Sequence, residues 1–275
     1  MLERFSGGFI NSIPMLFSGG PVWGMAWCPL PASSDPAETE VCDQFLAVSS
    51  QLDMDSESSM KKTSGGPGLL QIWRCPGLDL TEGAAPVFSL GLAHQYGSVW
   101  CLEWCPSGMF DLPGTDTRPI DVLRRRLGEL AAACSDGTVR IFTVAHPDNL
   151  QDGQVYLREA DMTLQADADG AELHGQCIKL SWYRGEGHGW IAASFTSGVV
   201  ALWHITTTSP LLRTSSFILP TQAWLAHTSS VTGLSLSPYG GEDPRHLLTG
   251  STDRCYKFWD LRDTAVPLQV WKILK

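Results

Sequence analysis

At 275 residues, 43% of them hydrophobic and 17% charged, the chain is long enough for one or two ordinary domains and has the balance of a globular protein. A net charge of −10 at pH 7 denies it the basic footprint that autonomous DNA or RNA binding needs. No run approaches the ~20 apolar residues of a membrane span, and the opening MLERFSGGFINSIPMLFSGG has Glu3 and glycine pairs where a signal peptide has an unbroken apolar centre. Eight cysteines raise the question of a disulfide framework. Cys28, Cys101, Cys105, Cys134, Cys177 and Cys255 fall inside apolar runs, however, where a free thiol behaves as a small hydrophobe, so the reading is a soluble protein of the cytosol or nucleus.

Residues 1–20 precede the first regular unit, and Phe9 to Phe17 is expected to form one strand. The first unit, about 21–92, has strands at Val22–Pro31, Phe45–Ser50 and Gly68–Cys75. Its insertion at 51–67 is rich in Ser, Gly, Asp and Lys and reads as a solvated loop, with Ser56, Ser58 and Ser59 as a candidate phosphorylatable cluster. The second unit, about 93–174, runs from AHQYGSVWCLEWCPSG to ELAAACSDGTVRIFTV, with Asp136-Gly137 as a hairpin turn. Its insertion at 109–128 carries Arg124, Arg125 and Arg126, a candidate contact for an acidic partner or a phosphate, the other reading being a solvated loop. Val155 to Asp167 reads as one outer strand. The third unit, about 175–223, has strands at Gln176–Trp182 and Trp190–Ile205, a turn at Ser197-Gly198 and an outer strand expected near Ser216 to Leu219. The fourth, about 224–275, has strands around Val231, Leu247 and Trp259, a turn at Asp253-Arg254 and an outer strand within VPLQVWKIL.

The third strands end on Trp73, Phe142, Trp203 and Trp259, separated by 69, 61 and 56 residues. The unit from Ala226 to Asp263, with its Ala-His opening, period-two strands and closing Trp-Asp, resembles a WD40 propeller blade. Insertions account for spacings above the ~40–45 of an undecorated repeat. The fold class is therefore all-β: one propeller domain over 1–275 with four recognisable blades, expected to be part of a larger ring of about seven. A blade face left open at the end must be completed by further sequence or by a partner.

His94 and His227 stand before the first strands of their units, and Asp136 and Asp253 stand in the later turns. A catalytic His-Asp pair is one reading. Because the pair recurs at equivalent positions, the other reading is a buried hydrogen-bond network that braces each blade. In the fourth unit it comprises His227, Thr249 or Ser251, Asp253 and Trp259. In the second, His94, Ser135 and Asp136 meet Phe142 instead of Trp, so the fourth should hold the most complete network. Cys101 and Cys105 lie ~13 Å apart on an extended strand at ~3.3 Å per residue, too far to share a zinc ion. No phosphate-cradling loop, nucleophile elbow or zinc-protease motif is present, so catalytic, cofactor-binding and metal residues are all assigned as none. Asp260 and Arg262 after Trp259 form a WD-x-R string, like the one by which substrate receptors of cullin-type ubiquitin ligases dock their adaptor.

GSVWCLEWCPSG at 97–108, LAAACSDGTVRIF at 130–142, Gly175-Gln176-Cys177 before Ser181-Trp182, and GSTDRCYKFWDLR at 250–262 carry a more specific resemblance. They are similar to the WD40 (beta, or second) subunit of the RNA polymerase III general transcription factor TFIIIC. That resemblance implies a nuclear scaffold subunit supporting internal-promoter recognition at tRNA-type genes. Its partners would be the other TFIIIC subunits, with promoter DNA met only indirectly through the complex, and with no membrane, small-molecule substrate or cofactor. Those subunits are longer, so this chain would be a short form or fragment. The rival readings are a cullin-ligase substrate receptor, a generic assembly scaffold, and a propeller attached to an enzyme.

Overall fold

Runs that alternate every second residue, bounded by Gly, Pro and Asp, form strands, and the strands form four sheets and a hairpin in the computed structural model. It describes residues 3–11, 13–29, 43–51, 62–75, 84–106, 125–147, 150–239 and 241–273. The hairpin is β1 (Ser6–Ile10) and β2 (Ile13–Phe17). The first sheet holds β3 (Val22–Trp27), β4 (Gln44–Ser50), β5 (Gly68–Cys75) and β6 (Val87–His94), and it is joined at its edge by β10 (Gln154–Leu157). The second holds β7 (Val99–Trp104), β8 (Arg126–Cys134), β9 (Thr138–Ala145) and β11 (Met162–Gln165). The third holds β12 (Cys177–Trp182), β13 (Trp190–Phe195), β14 (Val199–His204) and β15 (Gln222–Leu225). The fourth holds β16 (Val231–Leu236), β17 (His246–Ser251), β18 (Cys255–Asp260) and β19 (Gln269–Lys272). No helix among the described residues is long and apolar enough to cross a membrane.

The four sheets repeat one plan. In each, the first strand is bulged at the same place, with register breaks at Val22/Gly24, Val99/Cys101, Cys177/Lys179 and Val231/Gly233. A bulge adds local twist and re-aims the strand end, so the first strands can stand side by side: β3 against β7, β7 against β12, β12 against β16. Second strands carry small residues, Ala131 to Ala133 and Ala192 to Ala193, all fully buried, because a sheet lies close on either side. The tight turns of the second and third sheets need left-handed backbone, supplied by Gly137 (φ 85°) and Gly198 (φ 94°). In the fourth the same conformation is taken by Arg254 (φ 65°), at some steric cost.

Polar seams join the sheets. The Ser49 hydroxyl donates to the Val99 carbonyl at 2.9 Å and the Ser194 hydroxyl to the Val231 carbonyl at 2.7 Å, from the same register position on the second strands of the first and third sheets. Trp104 Nε1 donates to the Ala26 carbonyl at 3.0 Å, the Leu236 amide donates to Ser181 Oγ at 2.9 Å, and the Trp182 amide donates to Glu103 Oε2 at 2.5 Å. Burial of Glu103 pushes its carboxyl pKa up.

Four expectations are corrected. Phe9 to Phe17 is not one strand but most of a hairpin, reversing at Asn11 (φ 51°); it lies on the first sheet, with Phe5 5.3 Å from Phe88 and Leu16 against the Trp73 cluster. Val155 to Asp167 splits in two: β10 runs parallel to β6 of the first sheet, and only β11 is the outer strand of the second. The break falls where the Arg158 amide turns to Ala93 and the Asp161 amide to Ile141. Ser216 to Leu219 is not the third sheet's outer strand; Ile218 bridges Leu164 of β11, with its amide donating to Thr163 and its carbonyl accepting from Gln165, and the outer strand is β15. Accordingly the unit boundary at 223/224 falls inside β15, and Gln154–Leu157 joins the first sheet. Arg126 to Gly128 belongs to β8 rather than to the insertion, whereas the rest of that insertion up to Arg124, and Ser56, Ser58 and Ser59, lie outside the described residues.

Ser194→Ala leaves the buried Val231 carbonyl without its donor, so equilibrium urea unfolding should show a loss of about 1–3 kcal/mol. Ala201→Gly on the neighbouring strand is the packing control.

Candidate functional site

The fourth sheet contains a closed buried polar chain. Trp259, at the end of β18, donates from Nε1 to Thr249 Oγ1 at 2.9 Å, and Thr249 Oγ1 lies 2.8 Å from His227 Nε2. His227 Nδ1 lies 2.9 Å from Asp253 Oδ2, and Asp253 is held in its turn by amide donors from Cys255 (3.0 Å) and Thr228 (3.3 Å). Indole is a donor only, so Thr249 accepts from it and offers its own hydrogen to Nε2, which fixes the Nδ1–H tautomer aimed at the carboxylate. Burial lowers the His227 pKa against the pull of Asp253. Burial alone would raise the Asp253 pKa, but the bonds from His227 and the Cys255 amide hold it below the usual carboxylate range. Ser251 stands outside the chain: its hydroxyl donates to the Ser229 carbonyl at 3.1 Å and accepts from the Asp253 amide. Every polar atom of the His-Asp pair has a protein partner, an arrangement suited to bracing rather than to abstracting a proton from a substrate.

The second sheet has the same starting residues without the same chain. By register, Ala132 stands where Thr249 does and Phe142 where Trp259 does. His94 Nδ1 instead accepts from the Tyr96 amide at 3.3 Å, and its buried Nε2 has no partner. Asp136 turns away to Arg140 (2.8 Å) and Thr138 (2.6 Å). Ser135 accepts from the Ser98 amide and donates to the Ser64 carbonyl. Burial holds the His94 pKa down to about 4, outweighing Asp136.

The other singled-out residues are dispersed. Of the arginine triplet, Arg126 opens β8 3.9 Å from Glu129, and the Arg125 carbonyl accepts from the His146 amide. Asp260 and Arg262 form a bidentate pair, Nε to Oδ1 at 2.9 Å and Nη2 to Oδ2 at 2.5 Å, with the Arg262 side chain exposed. Cys101 and Cys105 are both buried; no metal-binding group of three or more His, Cys, Asp or Glu exists among the described residues.

The sequence leads one to expect an open blade face, but the residues that form it were not singled out. On the fourth sheet Leu248, Tyr256 and Trp271 are 41%, 46% and 48% exposed. The register places them level with Ala131, Val139 and Leu164 of the second sheet, all fully buried in the cluster shared with the third. It also places them level with Ala47, Leu70 and Leu92 of the first. Where those sheets have a neighbour, the fourth has open apolar surface. The signal lay in the sequence as larger side chains at these positions, Leu248 for Ala131, Tyr256 for Val139 and Trp271 for Leu164, but which face they occupy needed the register. The first sheet's opposite face is half covered: the hairpin lies over Trp73, and Met25 and Trp27 stay exposed.

The model of the family described as "WD domain, G-beta repeat" matches residues 86–143 and 219–260. Over 271 residues the chain is 35% identical to General transcription factor 3C polypeptide 2 of Homo sapiens and, to the same degree, to its counterpart in Pongo abelii; each alignment covers 92% of this chain and 28% of the relative. It is 30% identical over 190 residues to Transcription factor tau subunit sfc6 of Schizosaccharomyces pombe, covering 68% of this chain and 27% of that protein. The chain thus spans under a third of the curated relatives it matches. Among solved structures, the WD40 domain of Toxoplasma gondii coronin aligns with a TM-score of 0.49 at 16% identity, over 82% of this chain and 43% of that one.

Thr249→Val orphans both the Trp259 indole and His227 Nε2 and should cost about 2–4 kcal/mol in urea unfolding, whereas Ser251→Ala should cost less than half as much. The two histidines also set a pH dependence. Their folded pKa values lie below the unfolded 6.5, so the unfolded state takes up protons first as pH falls. Stability is full above pH ~6.5 and is lost from there down through about 4, by about 3 kcal/mol for His94. His94→Phe should flatten the stability profile measured between pH 7 and 4.

Proposed function

We propose, from the premise that this chain is a WD40-repeat protein similar along 92% of its length to a general transcription factor subunit, that it is a non-enzymatic nuclear scaffold of the TFIIIC complex. Its four units, about 21–92, 93–174, 175–223 and 224–275 with the edge exchanges described above, act as blades of one propeller domain. In this reading it supports internal-promoter recognition at tRNA-type genes through contacts with other TFIIIC subunits, and meets DNA only as part of that assembly.

The observation that carries the reading is the open face of the fourth sheet. Exposed aromatic and aliphatic side chains at positions that are buried between sheets elsewhere in the same chain call for another sheet of the same kind as their cover. With a net charge of −10 the molecule is poorly suited to hold phosphate itself, which leaves that contact to basic subunits. The polar chain of His227, Thr249, Asp253 and Trp259, and its partial counterpart at His94, Ser135 and Asp136, serve rigidity.

Affinity purification from nuclear extract with mass spectrometry tests this. The chain should recover polymerase III factor subunits, and Tyr256→Glu with Trp271→Glu should reduce that recovery at least tenfold while the chain still folds by circular dichroism. The exposed Arg262 side chain favours the rival ligase-receptor role; recovery of cullin adaptors alone, lost in Arg262→Ala, would establish that role instead.

A further inference from the structure

A cavity of about 410 Å³ lies where the hairpin meets the junction of the first two sheets, with Arg4, Phe5, Gln51, Leu69, His94 and Ser98 in its wall. Its size is that of a ligand site, and among the described residues no carboxylate lines it although the chain is acidic overall. The hydrogen bonds around it are unevenly completed. Ser49 and Ser50 spend their hydroxyl hydrogens on the carbonyls of Val99 (2.9 Å) and Ser18 (3.3 Å). Ser98 Oγ accepts from Gln51 Nε2 at 3.0 Å, and its own hydrogen has no acceptor among the described residues. Arg4 makes no ion pair among the described residues. His94 accepts at Nδ1 from Tyr96, which puts the proton on Nε2, and that buried donor is unpartnered. The ring edge lies against Gly68, where a Cβ would come within 2.2 Å of Cε1.

Donors without acceptors, one of them a guanidinium, define what belongs in such a wall: an anionic acceptor. We propose that this cavity binds the oxyanion side chain of an acidic peptide, a carboxylate or a phosphate, with Arg4 at the mouth, Ser98 in the wall and His94 supplying donor polarity from the floor. Phe5, Pro67, Leu69 and Val99 provide apolar surface for the methylene stem of such a residue. A single cation is too little for a nucleic acid backbone, which is held by many neutralised phosphates, so the ligand is a peptide. The inference is independent of the assembly role proposed above.

The test is an NMR titration of the ¹⁵N-labelled full chain with three otherwise identical Gly-flanked heptapeptides whose central residue is Glu, phosphoserine or Gln. Saturable shifts of the Gly97 and Ser98 amides and of the His94 ring nitrogens are expected with Glu, phosphoserine or both, and the comparison of the two identifies the preferred oxyanion. Arg4→Glu, at an exposed position that leaves folding intact, should weaken binding at least tenfold, while Arg158→Glu should not. No saturable shift with either acidic peptide at millimolar concentration, equal shifts with the Gln peptide, or unchanged binding by Arg4→Glu would overturn the proposal.

Discussion

Face-to-face packing of sheets is the constraint on which the rest of this molecule depends. Each sheet is apolar on both sides, and a sheet of four short strands cannot bury both faces by itself. The bulges at corresponding positions of β3, β7, β12 and β16 bring the first strands together, and the small residues of β8 and β13 let the neighbouring layers approach. Two linkers strengthen the arrangement from outside: β10 lies on the edge of the first sheet and Ile218 on that of the second. Each covers strand edges that would otherwise offer unpaired amides and carbonyls.

The polar chains are subordinate to that packing. In the fourth sheet Trp259, Thr249, His227 and Asp253 satisfy one another in full. In the second, replacement of the middle hydroxyl by Ala132 and of the indole by Phe142 dismantles the chain, and His94 and Asp136 find separate uses. The second sheet keeps its place through two buried interfaces, with the first and third sheets, so it tolerates an orphaned donor. The fourth sheet, packed on one side only, retains the complete brace.

Strands, turns and the repeat of units were legible because period-two patterning and turn chemistry are local. The Asp136-Gly137 and Ser197-Gly198 turns fall where the sequence placed them. What local pattern could not reveal were long-range choices. Whether Gln154–Leu157 extends its own unit or docks on a preceding one depends on a parallel edge partner many residues away. Thr249 and Ser251 share one face of β17, two residues apart, so only the distance to His227 and Trp259 selects Thr249. That Leu248, Tyr256 and Trp271 form the open face was hidden for a related reason: aromatic residues in a strand look like core until the register shows which sheet they face.

The central claim is that this surface is an interface awaiting its partner sheet. Native-state hydrogen exchange on the isolated chain tests it most directly, by comparing β18 and β19 with their register equivalents β9 and β11. The account predicts that amides of β9 and β11, sealed against the third sheet, exchange at least a hundredfold more slowly than those of β19, and that β19 becomes protected in the purified assembly. Protection of β19 equal to that of β11 in the isolated chain, or no gain in the assembly, would contradict it.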